Sequence, residues 1–408
     1  MAAIFAAGGS RRVLVVERTG DGGRKILISG GGRCNVLPSV VDAARFVTAS
    51  SAHTLRNLLK SWPLADQRTF FERDLGVPLA LEAETGKLFP ASNRARDVRD
   101  ALIQHARSRG VDFRFNATVA DITPSADADV ANGAAWRVRL ETSAAPTLDA
   151  SAVILATGGL SVPATGSDGR GLAMLRRLGH TIHETYPALT PLVAEPAVHA
   201  DLAGVSLSAI VRAPIDGRSW SADGGFLFTH RGYSGPVVLD ASHLAVRARL
   251  AGRAQPLLVQ WTPHDERTWQ EWLRPADGLV VTKLRPHVPA RLAERLLRDA
   301  GLSADEPLAT LRRDARQRLV DALCRTPLPW TSDEGYKKAE VTGGGVMLAD
   351  VHPRTLESRR HAGLFLCGEL LDAFGPIGGH NFLWAWATGR RAGLGARAAA
   401  AAADARDS

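Results

Sequence analysis

The 408-residue sequence contains little cysteine and no long apolar run. Its three cysteines, Cys34, Cys324 and Cys367, lie far apart in the chain, so they suggest no disulfide framework and favour a reducing compartment. No stretch approaches the roughly 20 apolar residues that a membrane-spanning helix needs. The apolar start, MAAIFAAGGSRRVLVVE, lacks the basic segment and the cleavage site of a secretory signal. We therefore expect a cytoplasmic protein with no membrane partner.

Several kinds of site are also missing from the sequence. No set of His, Cys and carboxylate residues has the spacing of a metal site, and no Gly-x-Ser-x-Gly nucleophile motif is present. The net charge of +8 comes from arginines spread along the whole chain, without a strip that combines basic and aromatic residues. Such a distribution is typical of solvated helix faces and of attraction to anionic cofactors. We expect no metal and no specific nucleic-acid partner, and the oligomeric state stays open.

The first positive signal is a strand pattern that ends on a carboxylate. Val13 to Val16 are apolar, as in a buried parallel strand, and Glu17 follows them. In dinucleotide-binding folds, a carboxylate at the end of the second strand accepts the adenosine ribose hydroxyls, about 20 residues after a Gly-x-Gly-x-x-Gly turn. Residues 1–9 fit only the end of the helix between that turn and the second strand. The first strand and its glycine turn are therefore missing from the expected fold.

This missing strand has two explanations. In the doubly wound order the first strand lies in the centre of the sheet, so its loss would leave unpaired backbone groups on both neighbours. We therefore expect a start codon assigned too late, with a natural product longer by roughly the length of a strand and its turn. The alternative is a truncated chain that binds its cofactor weakly or not at all.

Three glycine-rich segments predict places where a nucleotide meets the backbone. In RKILISGGGRCN, residues 24–35, successive glycines can turn their amides toward an anion. An apolar strand at 152–155 leads into Thr157-Gly158-Gly159, and another at 364–367 leads into Gly368-Glu369. Ligands of open α/β sheets bind at such carboxyl ends of strands. A glycine pair at 378–379 then precedes a helix beginning near Asn381, which is a further anion or flavin site.

Together with PALTPL, FTHRGYSGP and AEVTGGGV, these segments resemble a bacterial family of FAD flavoproteins. The family includes aminoacetone-oxidase-type FAD-binding enzymes and the bile-acid 3-dehydro-Δ4 reductase. The similarity extends from Met1 to about Gly393, and the GGGRCN and GGHN blocks are specific to the family. It implies an α/β fold in which a discontinuous Rossmann-like FAD-binding domain carries an inserted β-barrel with a helical subdomain.

The resemblance also implies which residues bind FAD. Glu17 would bind the adenosine ribose, Val119 would contact the adenine through its main chain, and the segment near Glu369 would meet the ribityl and flavin end. The full set of expected cofactor residues is Glu17, Arg24, Lys25, Gly31, Gly32, Arg33, Cys34, Asn35, Val119, Thr157, Gly158, Gly368, Glu369, Asp372, Asn381 and Phe382. The sequence departs from the family's pattern at NVLP, TGSDGRG and GPIGGHN, which concerns the flavin and substrate region.

Periodicity divides the middle of the chain. Residues 187–262 alternate short apolar strands with turns, in PLVAEP, SLSAIVRAP, GGFLFTHRGYSGPVVLDAS and AQPLLVQW, which predicts a small β-barrel. Residues 263–330 switch to the 3.6-residue period of helices. We therefore expect an FAD-binding domain at 1–186 and 346–408, interrupted by a barrel at 187–262 and 331–345 that itself carries a helical subdomain at 263–330.

Candidate catalytic residues are few. His230 and Tyr233, in FTHRGYSGP, and His380, beside the glycine pair, are possible proton donors, although residues in such places are more often structural. Cys34 has no cysteine nearby in the sequence, which favours a packing role over redox chemistry. Trp384 and Trp386 are expected in the core.

The expected function is that of a flavin-dependent oxidoreductase. Flavin N5 would take hydride from NAD(P)H and reduce a small organic substrate, such as an activated C=C bond. No second complete glycine turn is present for a nicotinamide domain, so NAD(P)H would visit the flavin face transiently. Three alternatives stay open: an oxygen-using oxidase of a small amine, a flavin-dependent RNA-modifying protein, and a flavin-free remnant.

Overall fold

The computed structural model describes residues 1–9, 11–125, 135–141, 146–215 and 217–404. The chain divides into two compact units. The first consists of Met1–Thr185 and Val341–Ser408, and the second is Tyr186–Glu340. The finer domain bounds given from the sequence stay a prediction.

The first unit combines helices with short parallel and antiparallel sheets. Its α-helices are Ala2–Ala6, Arg24–Ile28, Ala52–Lys60, Leu64–Thr69, Ala95–Ser108, Arg170–Arg177 and His380–Asp404. Its strands are Val13–Val16, Leu37–Pro38, Leu79–Glu82, Lys87–Pro90, Val111–Arg114, Val119–Pro124, Trp136–Leu140, Thr147–Ala150, Val153–Leu155, Val341–Val346 and Leu364–Leu366. The strand Ile182–Ala188 begins in this unit.

Two parallel strand pairs position the ends that the sequence singled out. Val13–Val16 pairs with Val111–Arg114, and Val153–Leu155 pairs with Leu364–Leu366. The expected parallel arrangement is therefore confirmed for both pairs. The strand Val13–Val16 is less buried than predicted, since 37% of Leu14 is exposed.

The helix Ala95–Ser108 shows how local pattern and packing agree. Val98, Leu102 and Ala106 recur at four-residue spacing, and all are buried. Such spacing places them on one helix face, which packs into the core. Gly110, with φ +82°, then leaves the helix in a conformation that favours glycine.

The helix His380–Asp404 runs through the core of the first unit. Trp384 and Trp386 are 1% and 6% exposed, so their predicted core role is confirmed. This helix packs closely against Ala2–Ala6. An added Cβ at Gly393 would lie 2.2 Å from the carbonyl oxygen of Ala2, so a side chain larger than hydrogen would separate the two helices.

The second unit is an antiparallel sheet with helices. Its strands are Leu192–Val193, Ser206–Ile215, Arg218–Phe228, Gly232–Ser234, Leu258–Gln260, Thr326–Pro327 and Ser332–Asp333. Its α-helices are Pro236–Leu250, Glu266–Trp272, Val280–Leu284, Ala290–Asp299 and Arg313–Cys324. The last four of these helices lie within residues 263–330, where the helical subdomain is expected. No α-helix among the described residues of the chain has the length and apolarity to cross a membrane.

The sheet of the second unit curves back on itself. Its seven strands run from Thr326–Pro327 at one edge to Ser332–Asp333 at the other. Both edges belong to one short stretch, residues 326–333, and the few residues between the edge strands are too short to span a flat seven-stranded sheet, so the sheet curves. Closure into the expected barrel stays a prediction.

One prediction within the barrel is wrong. The sequence PVVLDAS was read as part of the strand region, but it begins the helix Pro236–Leu250. Gly235, with φ +93°, precedes the helix, and Pro236 occupies its first turn, where a missing N–H costs nothing. The helix buries Val237, Val238 and Ala241 against the sheet. Apolar residues at the start of the helix give the sequence the same pattern as a buried strand.

Candidate functional site

A charged network joins four segments of the first unit that are distant in the sequence. Lys25 Nζ lies 3.1 Å from Glu369 Oε2 and also donates to the hydroxyl of Ser161. Glu369 Oε1 accepts from Ser161 Oγ at 2.7 Å and from Thr342 N at 2.9 Å. The Lys25 and Glu369 side chains are 28% and 18% exposed, so this ion pair is only partly solvated. The network places one cation and one carboxylate at the ends of the glycine-rich segments.

Position 159 requires glycine because two side chains of the network pack directly against its backbone. An added Cβ at Gly159 would lie 2.3 Å from Thr342 Oγ1 and 2.9 Å from Glu369 Oε1. Thr342 Oγ1 accepts from Leu160 N at 2.7 Å, which holds the loop after the strand Val153–Leu155. Sequence reasoning missed Ser161 and Thr342, although Thr342 lies in AEVTGGGV, one of the segments that carry the family resemblance.

The glycine segment at 30–32 leaves its backbone open. Gly30, Gly31 and Gly32 have φ of +56°, +68° and +86°, in the left-handed region that favours glycine. An added Cβ at Gly31 would meet no atom within 4 Å. A ligand can therefore approach this backbone closely, as the sequence predicted.

The two arginines beside that segment form other contacts. Arg33 Nη1 donates to Glu82 Oε1 at 2.9 Å, and its guanidinium lies 4.0 Å above the Phe89 ring. Arg24 Nε donates to Asp21 Oδ1 at 3.0 Å on the surface. Of the three cations expected near an anion, only Lys25 joins the network.

Cys34 and Asn35 close the segment against the core. Cys34 is fully buried with φ +62°, and burial raises the pKa of its thiol to about 12. A thiol that stays protonated is a poor nucleophile, which supports the packing role. The Asn35 amide, oriented to suit its neighbours, donates to Leu37 O at 3.2 Å and accepts from Gly379 N at 3.0 Å. It thus ties the glycine segment to the Gly378–Gly379 turn.

Glu17 is presented as the sequence expects. Its Oε1 accepts from the Thr19 amide and hydroxyl, each at 2.7 Å. Its Oε2 receives no hydrogen bond from the described residues, so one carboxylate oxygen is available to ribose hydroxyls. Val119 begins the strand Val119–Pro124, where the register to the next strand is irregular.

The predicted residues near the C-terminal helix have mainly internal partners. Asp372 is 2% exposed, and its Oδ2 accepts from Ala49 N, Ser50 N and Ser50 Oγ. The Asn381 side chain accepts from Gly375 N at 2.9 Å and donates to Gly375 O at 3.0 Å. The Phe382 ring stacks on the Trp386 ring with their centroids 5.2 Å apart. The Asp372 and Asn381 side chains thus bond mainly to the backbone around the turn, and Phe382 packs on the C-terminal helix.

Gly158, Gly368 and Thr157 lie at the ends of the parallel pair. Gly158 and Gly368 have φ of +71° and +72°, and an added Cβ at Gly368 would meet no atom within 4 Å. Thr157 is exposed, and its hydroxyl lies toward Gly158 O at 3.4 Å. The backbone at Gly368 is thus a second open place at a strand end.

The candidate proton donors lie in different surroundings. His380 is 6% exposed, its Nδ1 has no hydrogen-bond partner among the described residues, and burial lowers its pKa to about 4. In the second unit, Tyr233 is fully buried with its hydroxyl 2.8 Å from His199 Nδ1, and burial raises its pKa. His230 is exposed, in the turn before Gly232. Neither buried group is poised to exchange protons with solvent.

The residues of the first unit fit FAD in three respects. Glu17 offers a carboxylate oxygen at a strand end, Gly31 and Gly368 leave open backbone, and Lys25 supplies a cation within a partly buried network. These are features that a dinucleotide with a pyrophosphate and ribose hydroxyls requires.

Comparisons with known proteins identify the family. The chain matches the family described as HI0933-like protein Rossmann domain over residues 1–395. It is 32% identical over 408 residues to the 3-dehydro-bile acid delta(4,6)-reductase of Clostridium scindens, a match that covers 97% of this chain and 96% of that protein. It is also 30% identical over 388 residues to the ribosomal RNA dihydrouridine synthase of Escherichia coli, covering 94% of this chain and 92% of that protein.

A solved structure is similar over most of the chain. The 3-ketosteroid-Δ4-(5α)-dehydrogenase from Rhodococcus jostii RHA1 is 15% identical, and the match covers 97% of this chain and 94% of that one with a TM-score of 0.49. The family match and the reductase relative agree with the resemblance drawn from the sequence motifs. The protein is an FAD-dependent oxidoreductase, and its chain belongs to the HI0933-like Rossmann-domain family.

Proposed function

We propose that this protein uses FAD and hydride from NAD(P)H to reduce a C=C bond conjugated to a carbonyl group. The observation that carries the proposal is the chemistry shared by its two kinds of relative, a 3-dehydro-bile acid delta(4,6)-reductase and a ribosomal RNA dihydrouridine synthase. A Δ4 double bond beside a 3-oxo group and the uridine C5=C6 bond are both conjugated to a carbonyl. One reaction type therefore accounts for relatives whose substrates differ greatly in size.

The chain's own residues would hold and orient the cofactor. Glu17 would bind the ribose hydroxyls through its unoccupied oxygen, and the backbone at Gly31 and Gly368 would pack against the cofactor. Lys25, held by Glu369 and Ser161, would provide positive charge beside it. Bound FAD supplies the hydride transfer, while these groups provide orientation and electrostatics.

The hydride donor can be tested by anaerobic rapid mixing. We expect NADH or NADPH to bleach the flavin absorbance of the purified protein. A 3-oxo-Δ4 bile acid or 2-cyclohexenone should then restore the absorbance faster than a saturated ketone of the same size. Bleaching by a small primary amine without NAD(P)H, followed by peroxide formation in air, would instead show the oxidase alternative. A protein that binds no FAD would contradict the proposal altogether.

Ribosomal RNA is the second candidate substrate. The relative from Escherichia coli and a further one from Haemophilus influenzae, 28% identical, are both named ribosomal RNA dihydrouridine synthases, and this chain carries a net charge of +8. Ribosomal RNA transcribed in vitro can be incubated with the protein and NAD(P)H, and dihydrouridine measured by mass spectrometry. Dihydrouridine formation that weakens steeply with salt would establish this substrate, because salt competes with phosphate contacts. Reduction of the bile acid alone favours the small-molecule substrate.

A further inference from the structure

We propose that His183 is the proton donor of this reaction and that Asp372 holds it in position. The inference rests on the proposed function, because reducing a conjugated C=C bond consumes one hydride and one proton. The hydride forms the C–H bond at the carbon far from the carbonyl. The π electron pair shifts toward the carbonyl and then takes up a proton at the neighbouring carbon. The protein must supply that proton.

The geometry joins an accessible imidazole to a buried carboxylate. His183 Nε2 lies 3.6 Å from Asp372 Oδ2 and 3.5 Å from Ser50 Oγ. The His183 side chain is 25% exposed, whereas the Asp372 side chain is 3% exposed. A carboxylate beside one ring nitrogen restricts the orientation of the ring. The exposed part of the ring is then available to a substrate.

Hydrogen bonds hold the carboxylate firmly. Besides Ala49 N and both donors of Ser50, Asp372 Oδ2 accepts from Thr48 Oγ1 at 3.0 Å. Asp372 therefore cannot rotate away from His183 without breaking bonds to the backbone of residues 49 and 50. This is the arrangement expected of a positioning residue.

The pair lies next to the Lys25–Glu369 network. Glu369 and Asp372 belong to the same short segment, and the strand Val341–Val346 contacts both residues, since Asp372 N donates to Val346 O at 2.9 Å. Its Thr342 donates to Glu369, whereas an added Cβ at Gly344 would lie 2.2 Å from Glu184 O, in the residue after His183. The same strand therefore touches the cofactor network and the segment that carries the imidazole.

Other charged groups near His183 are already engaged or face away. Asp350 accepts from Thr181 N and pairs with Arg360 at 3.1 Å. Glu184, the next residue on the strand, points to the opposite face because side chains alternate. The strand Val341–Val346 carries no titratable side chain. Asp372 is therefore the charged group that faces the imidazole.

The candidates from the sequence are less suited to this role. Tyr233 is fully buried against His199, and the buried imidazole of His380, whose pKa is lowered to about 4, is neutral at pH 7 and therefore a weak proton donor. The Lys25 ammonium is bonded to Glu369 and Ser161. His230 has no carboxylate partner among the described residues. His183 combines exposure with a buried acceptor, and no sequence motif marked it.

The test separates the two half-reactions in the full-length, FAD-loaded protein. The variant His183→Gln should retain FAD and should be reduced by NAD(P)H at a rate within about twofold of the wild type. Reoxidation by the conjugated substrate should slow by about 100-fold or more, the range typical of general acid catalysis. The wild-type reoxidation rate should fall toward alkaline pH, while the rate of the variant should be flat. His53→Gln, on the exposed face of the helix Ala52–Lys60, is the matched control and should behave as the wild type.

Each contrary outcome has its own meaning. Reoxidation of His183→Gln within about threefold of the wild type, or an unchanged pH profile, rejects the proton donor and leaves the proposed function intact. A wild-type protein that reduces no conjugated substrate, small or RNA, rejects both. If His183→Gln fails to fold, His183→Asn supplies the same measurements, and equal losses in both half-reactions for that variant assign His183 a structural role only.

Discussion

At the residue scale, Thr342 shows how one hydroxyl organises the site. Its Oγ1 accepts from the amides of Leu160 and Ser161 at 2.7 and 3.2 Å, and the side chain is 1% exposed. Both donors lie in the loop that follows a parallel strand. If this hydroxyl is removed, the N–H groups of Leu160 and Ser161 lose their acceptor.

Replacing Thr342 by valine should therefore destabilise the first unit. Valine preserves the shape but removes the acceptor, and leaving buried donors unsatisfied costs about 1–3 kcal/mol. Chemical denaturation measures the free energy of unfolding. Thr69→Val, at an exposed helix position, serves as the control and should change it little. Equal stability of Thr342→Val and wild type would show that water replaces the hydroxyl.

At Lys25 the measurable quantity is the affinity for FAD. Lys25→Met keeps the length of the side chain, and Glu369 retains its bonds from Ser161 and Thr342, so the fold should survive. The loss of one charged contact should raise the Kd for FAD about tenfold, corresponding to about 1.4 kcal/mol. Titration of the apoprotein with FAD, followed by flavin fluorescence, gives the Kd. Lys60→Met, at an exposed helix end, should leave it unchanged, and an unchanged Kd for Lys25→Met would place the cofactor away from the network.

At the scale of elements, Asp372 connects the turn at 368–372 to the loop at 48–50. The loop precedes the helix Ala52–Lys60, which Ser51 caps by accepting from Thr54 N. The carboxylate accepts from two consecutive backbone amides, Ala49 and Ser50. It thus fixes the start of a helix from the opposite end of the chain.

Asp372→Asn should loosen this loop before it affects the rest of the first unit. One amide oxygen replaces the charged acceptor, and the new NH₂ group faces backbone donors, so we expect a loss of about 1.5–3 kcal/mol, the worth of hydrogen bonds to a charged group. Hydrogen exchange at residues 47–51 should accelerate most. Asp112→Asn removes a surface pair with Arg12 and should leave exchange there as in the wild type. Uniform acceleration across the unit would contradict a local role.

At the scale of the whole molecule, each unit contains a histidine that burial keeps neutral. Burial lowers the pKa of His380 and of His243 to about 4. In the unfolded chain both would bind a proton below about pH 6.5. The unfolded state therefore gains protons first, and stability present above pH 6.5 is lost as the pH falls toward 4.

The free energy of unfolding should consequently fall from pH 7 to pH 5. The two histidines together should contribute a loss of about 2–4 kcal/mol over that range, from 1.36 kcal/mol per pH unit for each group. Urea denaturation at several pH values measures it. His380→Gln with His243→Gln should flatten the slope, whereas His53→Gln, at an exposed position, should not. A slope that survives the double substitution would assign the pH dependence to other groups.

Much of the element pattern was readable from the sequence. The strands near 13–16, 153–155 and 364–366 and the helices near 95–108 and 290–299 follow from local periodicity. The glycines at 30–32 were recognised as a run and Gly368 by its place after an apolar strand, and the structure gives all four the left-handed backbone that favours glycine. The helix Pro236–Leu250 was missed, since PVVL is equally compatible with a strand until its packing is known.

By itself the sequence determined the class of fold, the flavin cofactor and the segments that approach it, because these depend on residue types at short spacing. Only the tertiary structure decided which charges meet. Lys25 pairs with Glu369, which lies 344 positions away in the sequence. Arg33 pairs instead with Glu82, and Asp372 accepts hydrogen bonds from the loop at 48–50. His183 became a candidate proton donor in the same way, because the fold places it beside Asp372, 189 positions later in the chain. Such pairings arise when burial removes water from a charge, and the partner is then whichever group the fold brings within reach.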